Sequence, residues 1–160
     1  MYTDRQLREL FHFCFLERLL KISDIKLYVL KGGVNLRFYF HSPLYSEDMD
    51  LDVIAGSVAT LRKNGYKILD DAAFRRNLRT YGIEDIEIND PLKAKHTETT
   101  QRFRMRLITA SGDSMPTKIE FSRRNISADP TSIELIDPEI ARFYNKLSFR
   151  CQHYPAEVVV

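Results

Sequence analysis

Lys31-Gly32-Gly33-Val34-Asn35-Leu36-Arg37, followed after a short gap by Ser46-Glu47-Asp48-Met49-Asp50-Leu51-Asp52, is the stretch on which the fold turns. Asp48, Asp50 and Asp52 share one parity and Met49, Leu51 and Val53 the other, which is the alternation of a strand with one apolar face. Upstream, Leu27-Tyr28-Val29-Leu30 is a short apolar strand that runs into the double glycine. Glycines placed between a strand and a helix can take positive φ, and the helix N-terminus presents free N–H groups to an anion. Carboxylates two residues apart repel unless solvent or a cation separates them. A turn suited to phosphate beside acids suited to a metal is a way to hold a nucleoside triphosphate without a Walker-type loop.

Working outward, Thr3 and Gln6 have the spacing of a capping box. Leu7, Leu10, Phe11, Cys14, Phe15 and Leu19 recur behind them at helical spacing, so residues 4–21 are expected to form an amphipathic helix. Residues 35–40 read as a brief helix and 49–54 as the half-buried acidic strand. Residues 57–64 suggest a short helix closed by Gly65, and residues 71–81 a further helix that begins near Asp71 and stops at Gly82. Strands are expected at 86–88, 102–109 and 117–122, the last two joined by Ser111-Gly112-Asp113-Ser114 as a hairpin. Residues 125–137 read as a loop, and Pro138 starts a final helix running toward Phe149. No internal repeat or low-complexity segment interrupts this order. The expected class is α+β, with a short mixed sheet flanked by helices.

Composition narrows the field. The 160 residues are 44% hydrophobic, enough for one buried core and one domain. Charged residues make up 29% with a net charge of +2, which excludes a bulk polycation that coats nucleic acid. Cys14 and Cys151 lie far apart without a zinc or redox spacing, as expected of thiols in a reducing compartment. His12, His41, His96 and His153 show no metal spacing. No apolar stretch approaches the ~20 residues that span a bilayer, and the N-terminus carries no signal pattern, so a cytoplasmic protein without membrane contact is expected. The apolar ending Glu157-Val158-Val159-Val160 is unusual for a domain terminus, and a catalytic domain truncated within or before a helical region is expected over residues 1–160.

A third acid stands on the strand 117–122, where Lys118, Glu120 and Ser122 share a face opposite Ile119 and Phe121. If this strand lies beside the acidic one, Glu120 joins Asp48 and Asp50. Such a triad can hold magnesium, with manganese as an alternative, and deprotonate an attacking hydroxyl. The other reading is a solvated Lys/Glu face. Arg102, Arg104 and Arg106 share one strand face, and of these Arg104 and Arg106 are the stronger candidates for a triphosphate or an RNA backbone. Lys31 and Lys118 are further candidates, and Ser46 is placed to orient the entrance of the acidic strand.

The pattern Leu30-Lys31-Gly32-Gly33 with Leu36-Arg37, then Ser46-Glu47-Asp48-Met49-Asp50-Leu51, resembles the nucleotidyltransferase toxins of the AbiEii type, within the DNA polymerase β-like superfamily. The resemblance covers roughly residues 5–150. It implies a minimal nucleotidyltransferase fold and a toxin of a bacterial type IV toxin–antitoxin or phage-defence system. It also implies transfer of a nucleoside monophosphate from an NTP to an RNA (tRNA) or protein hydroxyl, and a cognate antitoxin. By the same resemblance Asp48 and Asp50 are paired metal ligands, Gly32 and Gly33 the phosphate turn, Glu120 the third acid, and Asp52 a spare. Val34 departs from the hydroxyl residue usual after the glycines, leaving Asn35 as the substitute. Lys146 is the candidate for the lysine of the family's helical region. Two other readings stand beside this one: a nucleotide-binding or interaction domain without turnover, and an antibiotic-modifying nucleotidyltransferase.

Overall fold

The computed structural model describes residues 1–91, 94–124 and 130–156. In chain order its elements are α1 (Asp4–Ile22), β1 (Tyr28–Lys31), α2 (Gly32–Tyr39), β2 (Met49–Val53), α3 (Val58–Asp70) and α4 (Ala72–Tyr81). They continue as β3 (Ile83–Ile88), β4 (Thr100–Thr109), β5 (Ser114–Arg123), β6 (Ser132–Leu135), α5 (Pro138–Phe143) and β7 (Arg150–His153). Among the described residues seven strands form one mixed sheet in the order β3-β4-β5-β2-β1-β7-β6. β2 runs antiparallel to β1 and parallel to β5, which puts the acidic strand at the sheet's centre.

Alternation decides the two faces. Met49, Leu51, Phe103, Met105, Ile119 and Phe121 point into one core with α1, α3 and α4. The opposite face carries Lys31, Asp50, Lys118, Glu120, Arg102 and Arg104. The capping box at Thr3 and Gln6 is formed in full, with both reciprocal bonds present. α1 is not the one-sided helix its spacing suggested: Leu10, Phe11, Phe13, Phe15, Leu16 and Leu19 are all fully buried, and so are His12 and Glu9. The helix lies under the sheet and is enclosed by α3, β5 and the segment from α5 onward, so its polar residues find internal partners. His12 Nε2 meets Thr117 Oγ1 at 2.8 Å, and Glu9 accepts from Tyr144 Oη at 2.7 Å and Arg37 Nε at 2.6 Å.

Three local expectations are corrected. Gly65 does not end a helix; α3 runs through it to Asp70, because the glycine gives room to the ring of Phe103. Within the expected loop 125–137, residues 132–135 are strand β6, an edge strand whose four side chains are all exposed and so leave no apolar alternation to read; residues 125–129 lie outside the described residues. The last helix stops at Phe143, closed by Tyr144 N–H bonds to Ile140 and Ala141 carbonyls, and does not reach Phe149. Beyond it β7 pairs with β6 and, in parallel, with β1. The Glu157–Val160 run lies outside the described residues. Both cysteines are buried free thiols, their pKa values pushed up by burial to about 12. Among the described residues no helix is long and apolar enough to cross a membrane.

Candidate active site

One lateral row of Cα partners crosses four strands: Lys31 on β1 faces Asp50 on β2, Asp50 faces Glu120 on β5, and Glu120 faces Arg102 on β4. Partners in register carry their side chains on the same face. Two acids therefore stand side by side, flanked at each end by a cation. The strand pairing that sequence left open is present, and it joins Glu120 to Asp50.

The glycine turn abuts this row. Gly32 has φ +72°, and a Cβ added there would lie 3.5 Å from Asp50 Oδ2, so the start of α2 stands directly against that carboxylate. Lys31, the residue before the helix, makes no side-chain cap, which leaves the first N–H groups of α2 open to an anion. A Cβ at Gly33 would come within 3.0 Å of Ser46 Oγ. Ser46 Oγ in turn donates to the Asp48 carbonyl at 2.7 Å, and this bond orients the entrance of β2. Asp48 Oδ1 accepts from the Lys118 backbone N–H at 3.0 Å.

Burial and the neighbouring Glu120 carboxylate raise the pKa of Asp50 above its ordinary value, with Lys118 and Lys31 opposing and Asp48 adding to the rise. Glu120 moves the other way. Burial pushes it up, but the Arg102 hydrogen bond and the charges of Lys118 and Arg102 carry it below the usual range. Arg102 Nε donates to Glu120 Oε2 at 2.5 Å and Lys118 Nζ lies 3.6 Å from the same oxygen. Among the described residues no three His, Cys, Asp or Glu side chains form a ready ligand set for a metal ion. Asp48 and Asp50 still suit magnesium, which is commonly held by one or two carboxylates together with substrate phosphates rather than by a protein cage.

Several predicted residues occupy other places. Asp52, the spare acid, is 1% exposed, pairs with Lys31 Nζ at 2.8 Å and accepts from Tyr154 Oη. Lys31 is thereby engaged within the protein. Asn35 does not offer its amide to a ligand, because Nδ2 donates to the Tyr154 carbonyl and Oδ1 meets His153 Nδ1, each at 2.9 Å. Val34, at 3% exposure, belongs to the core. Arg106 bonds Ser114 Oγ at the hairpin end, whereas Arg104 lies beside Lys118. Lys146 follows α5 and pairs with Glu17 of α1 at 3.0 Å, within the helical layer on the other side of the sheet. Of the three arginines, Arg102, which sequence reasoning ranked below Arg104 and Arg106, is the one set against Glu120. Its position opposite Glu120 depends on the hairpin register, which a shared face of three arginines does not reveal.

A glycine turn into a helix, followed by paired aspartates on a central strand of a mixed sheet, defines a nucleotidyltransferase fold. The sequence matches the family described as nucleotidyl transferase AbiEii toxin, type IV toxin–antitoxin system, over residues 14–160, and the chain belongs to that family. Three solved structures share the fold. MenT4, a nucleotidyltransferase toxin from Mycobacterium tuberculosis H37Rv, aligns with a TM-score of 0.65 at 17% identity over 96% of this chain and 49% of its own. JHP933 from Helicobacter pylori aligns at 0.55 and 22% identity over 86% of this chain and 51% of its own. A putative nucleotidyltransferase from H. pylori aligns at 0.53 and 18% identity over 98% and 56%. The chain thus spans about half the length of the solved structures it matches. No curated protein matches it.

Proposed function

We propose that the protein transfers a nucleoside monophosphate from an NTP to an acceptor hydroxyl and releases pyrophosphate, as the toxin half of a toxin–antitoxin pair acting in the cytoplasm. The row Lys31–Asp50–Glu120–Arg102 beside the Gly32 turn carries this reading. The α2 N-terminus at Gly32 and Gly33 receives the β- and γ-phosphates, and Ser46 keeps the turn and the acidic strand in register. Asp48 and Asp50 are the residues that would hold magnesium, or manganese, with the triphosphate; the cation would neutralise charge on the phosphates. Glu120 accepts the proton of the attacking hydroxyl while the new O–P bond forms and the bond to pyrophosphate breaks. Lys118 and Arg102 hold Glu120 ionised for that step. The acceptor is an RNA or protein hydroxyl, and an antitoxin is the protein partner expected of this family.

The test is incubation of the protein with radiolabelled NTPs, magnesium and total tRNA or a cell extract, beside Asp48→Ala and Asp50→Ala. Label should pass to an acceptor with the wild type and not with either variant. Binding of NTP without labelled product from a full-length protein would overturn the reading. Val34 specifically favours the second possibility, a nucleotide-binding domain without turnover, since no hydroxyl follows the glycines. Aminoglycosides added as acceptors test the antibiotic-modifying alternative.

A further inference from the structure

The sheet order fixes the direction in which a substrate lies across this site. On the functional face the sequence of neighbours is the Gly32 turn at the end of β1, Asp50 on β2, Glu120 on β5 and Arg102 on β4. Three strand spacings separate β1 from β4, about 14 Å. Phosphoryl transfer places the entering and leaving oxygens roughly in line on opposite sides of the phosphorus. With pyrophosphate seated at the glycine turn and the reacting phosphorus by Asp50, the acceptor must enter from the β5–β4 side.

A cleft of about 480 Å³ lies on that side, lined by Asn89, Asp90, Ala94, Lys95, Arg102 and Arg104. Among the described residues three cations and one acid line it. Arg102 both lines the cleft and bonds Glu120, so one side chain joins the cleft to the carboxylate assigned to take the proton. The Arg104 guanidinium and the Lys95 ammonium make no hydrogen bond or ion pair among the described residues, unlike Arg102, and are free for an anion. Two hydrogen bonds fix the cleft's frame: Asn89 N–H to the Arg104 carbonyl at 3.0 Å and Arg102 N–H to the Lys95 carbonyl at 2.9 Å.

We propose that this cleft is the acceptor subsite, and that Lys95 and Arg104 select an acceptor bearing phosphate next to its reacting hydroxyl. The assignment rests on the transferase reading given above. It moves Arg104 from the triphosphate to the acceptor. The phosphate can belong to a polynucleotide end or to a small phosphorylated molecule.

Lys95→Ala and Arg104→Ala, both at exposed positions, separate these ideas in the full chain. A fluorescently labelled short oligoribonucleotide is the probe, its affinity followed by anisotropy across a salt series. A non-hydrolysable NTP with magnesium is titrated in parallel by calorimetry. Each variant should weaken oligonucleotide binding and flatten the slope of log affinity against log salt by about 0.7. NTP affinity should not change, and where transfer is measured the loss should appear in the acceptor KM. Displacement of the probe by adenosine 5′-monophosphate assigns the phosphate to a small molecule, and displacement only by unlabelled oligonucleotide assigns it to a polymer; either supports the subsite. A loss of NTP affinity with unchanged oligonucleotide binding overturns the proposal. So does an unchanged salt slope, or transfer to a protein hydroxyl that is insensitive to both variants. The binding arm needs no turnover: wild type that binds the probe through Arg104 yet transfers nothing refutes the catalytic reading and leaves the cleft a phosphate-binding site with no acceptor role.

Discussion

Asp50 meets two opposed demands. The proposed reaction needs it ionised, but burial and the adjacent Glu120 raise its pKa. The native protein therefore takes up this proton before the unfolded chain does as pH falls. The penalty of the charge is present above the folded pKa and disappears below the unfolded value near 3.8. Asp50→Asn removes the penalty together with a proposed metal ligand. Its melting temperature at neutral pH should rise, while transfer activity should fall more than about a hundredfold; thermal denaturation and the labelling assay read the two effects. Lys31 presents the reverse case. Lys31→Met would leave Asp52, 1% exposed, with only the Tyr154 hydroxyl and the more distant Arg124 Nε at 3.5 Å. Urea denaturation should show a loss of about 3–5 kcal/mol, and Asp52→Leu added to Lys31→Met should recover most of it.

At the scale of elements, two glycines do different work. Gly32 lets β1 pass into α2 with φ +72°, a conformation that costs an L-residue about 1–2 kcal/mol. Gly32→Ala should lose that much stability and, by displacing the turn from Asp50, weaken NTP binding measured by calorimetry. Gly65 instead makes room inside α3 for Phe103, which is fully buried. Gly65→Ala gains roughly 1 kcal/mol of helix propensity but overpacks the ring at a cost of about 1–3 kcal/mol, so urea denaturation should report a small net loss. The sheet elements were legible where alternation was strong, as in β2, β4 and β5. β6 and β7 were not, because four-residue strands at a sheet margin show too little pattern, and β6 buries none of its side chains.

Across the whole molecule, α1 couples the core to the site. His12 is fully enclosed and bonded to Thr117, whose hydroxyl donates to the Glu47 carbonyl at 2.6 Å just before the acidic strand. Burial, aided by Arg8, lowers the His12 pKa from 6.5 to about 3. The unfolded chain binds this proton first, so the stability is fully present above pH 6.5 and is lost as pH falls toward 3. The slope reaches at most about 1.4 kcal/mol per pH unit. Comparing urea denaturation at neutral pH and at about pH 4.5, the wild type should weaken more than His12→Gln.

The local chemistry was written in the order of residues. The capping box at Thr3, the strand parity of Asp48 and Asp50, and the glycines at a strand-to-helix junction all depend on spacing over a few positions, where backbone geometry leaves little choice. Tertiary structure decided which side chains meet. Parallel pairing of β2 with β5 joined Glu120 to Asp50, and hairpin register set Arg102, rather than Arg104 or Arg106, against Glu120. Tyr154, more than a hundred residues away, closed over Asp52 and made a buried ion pair of what alternation alone presents as an open acidic face. Those contacts come from long-range strand order, which no local spacing encodes.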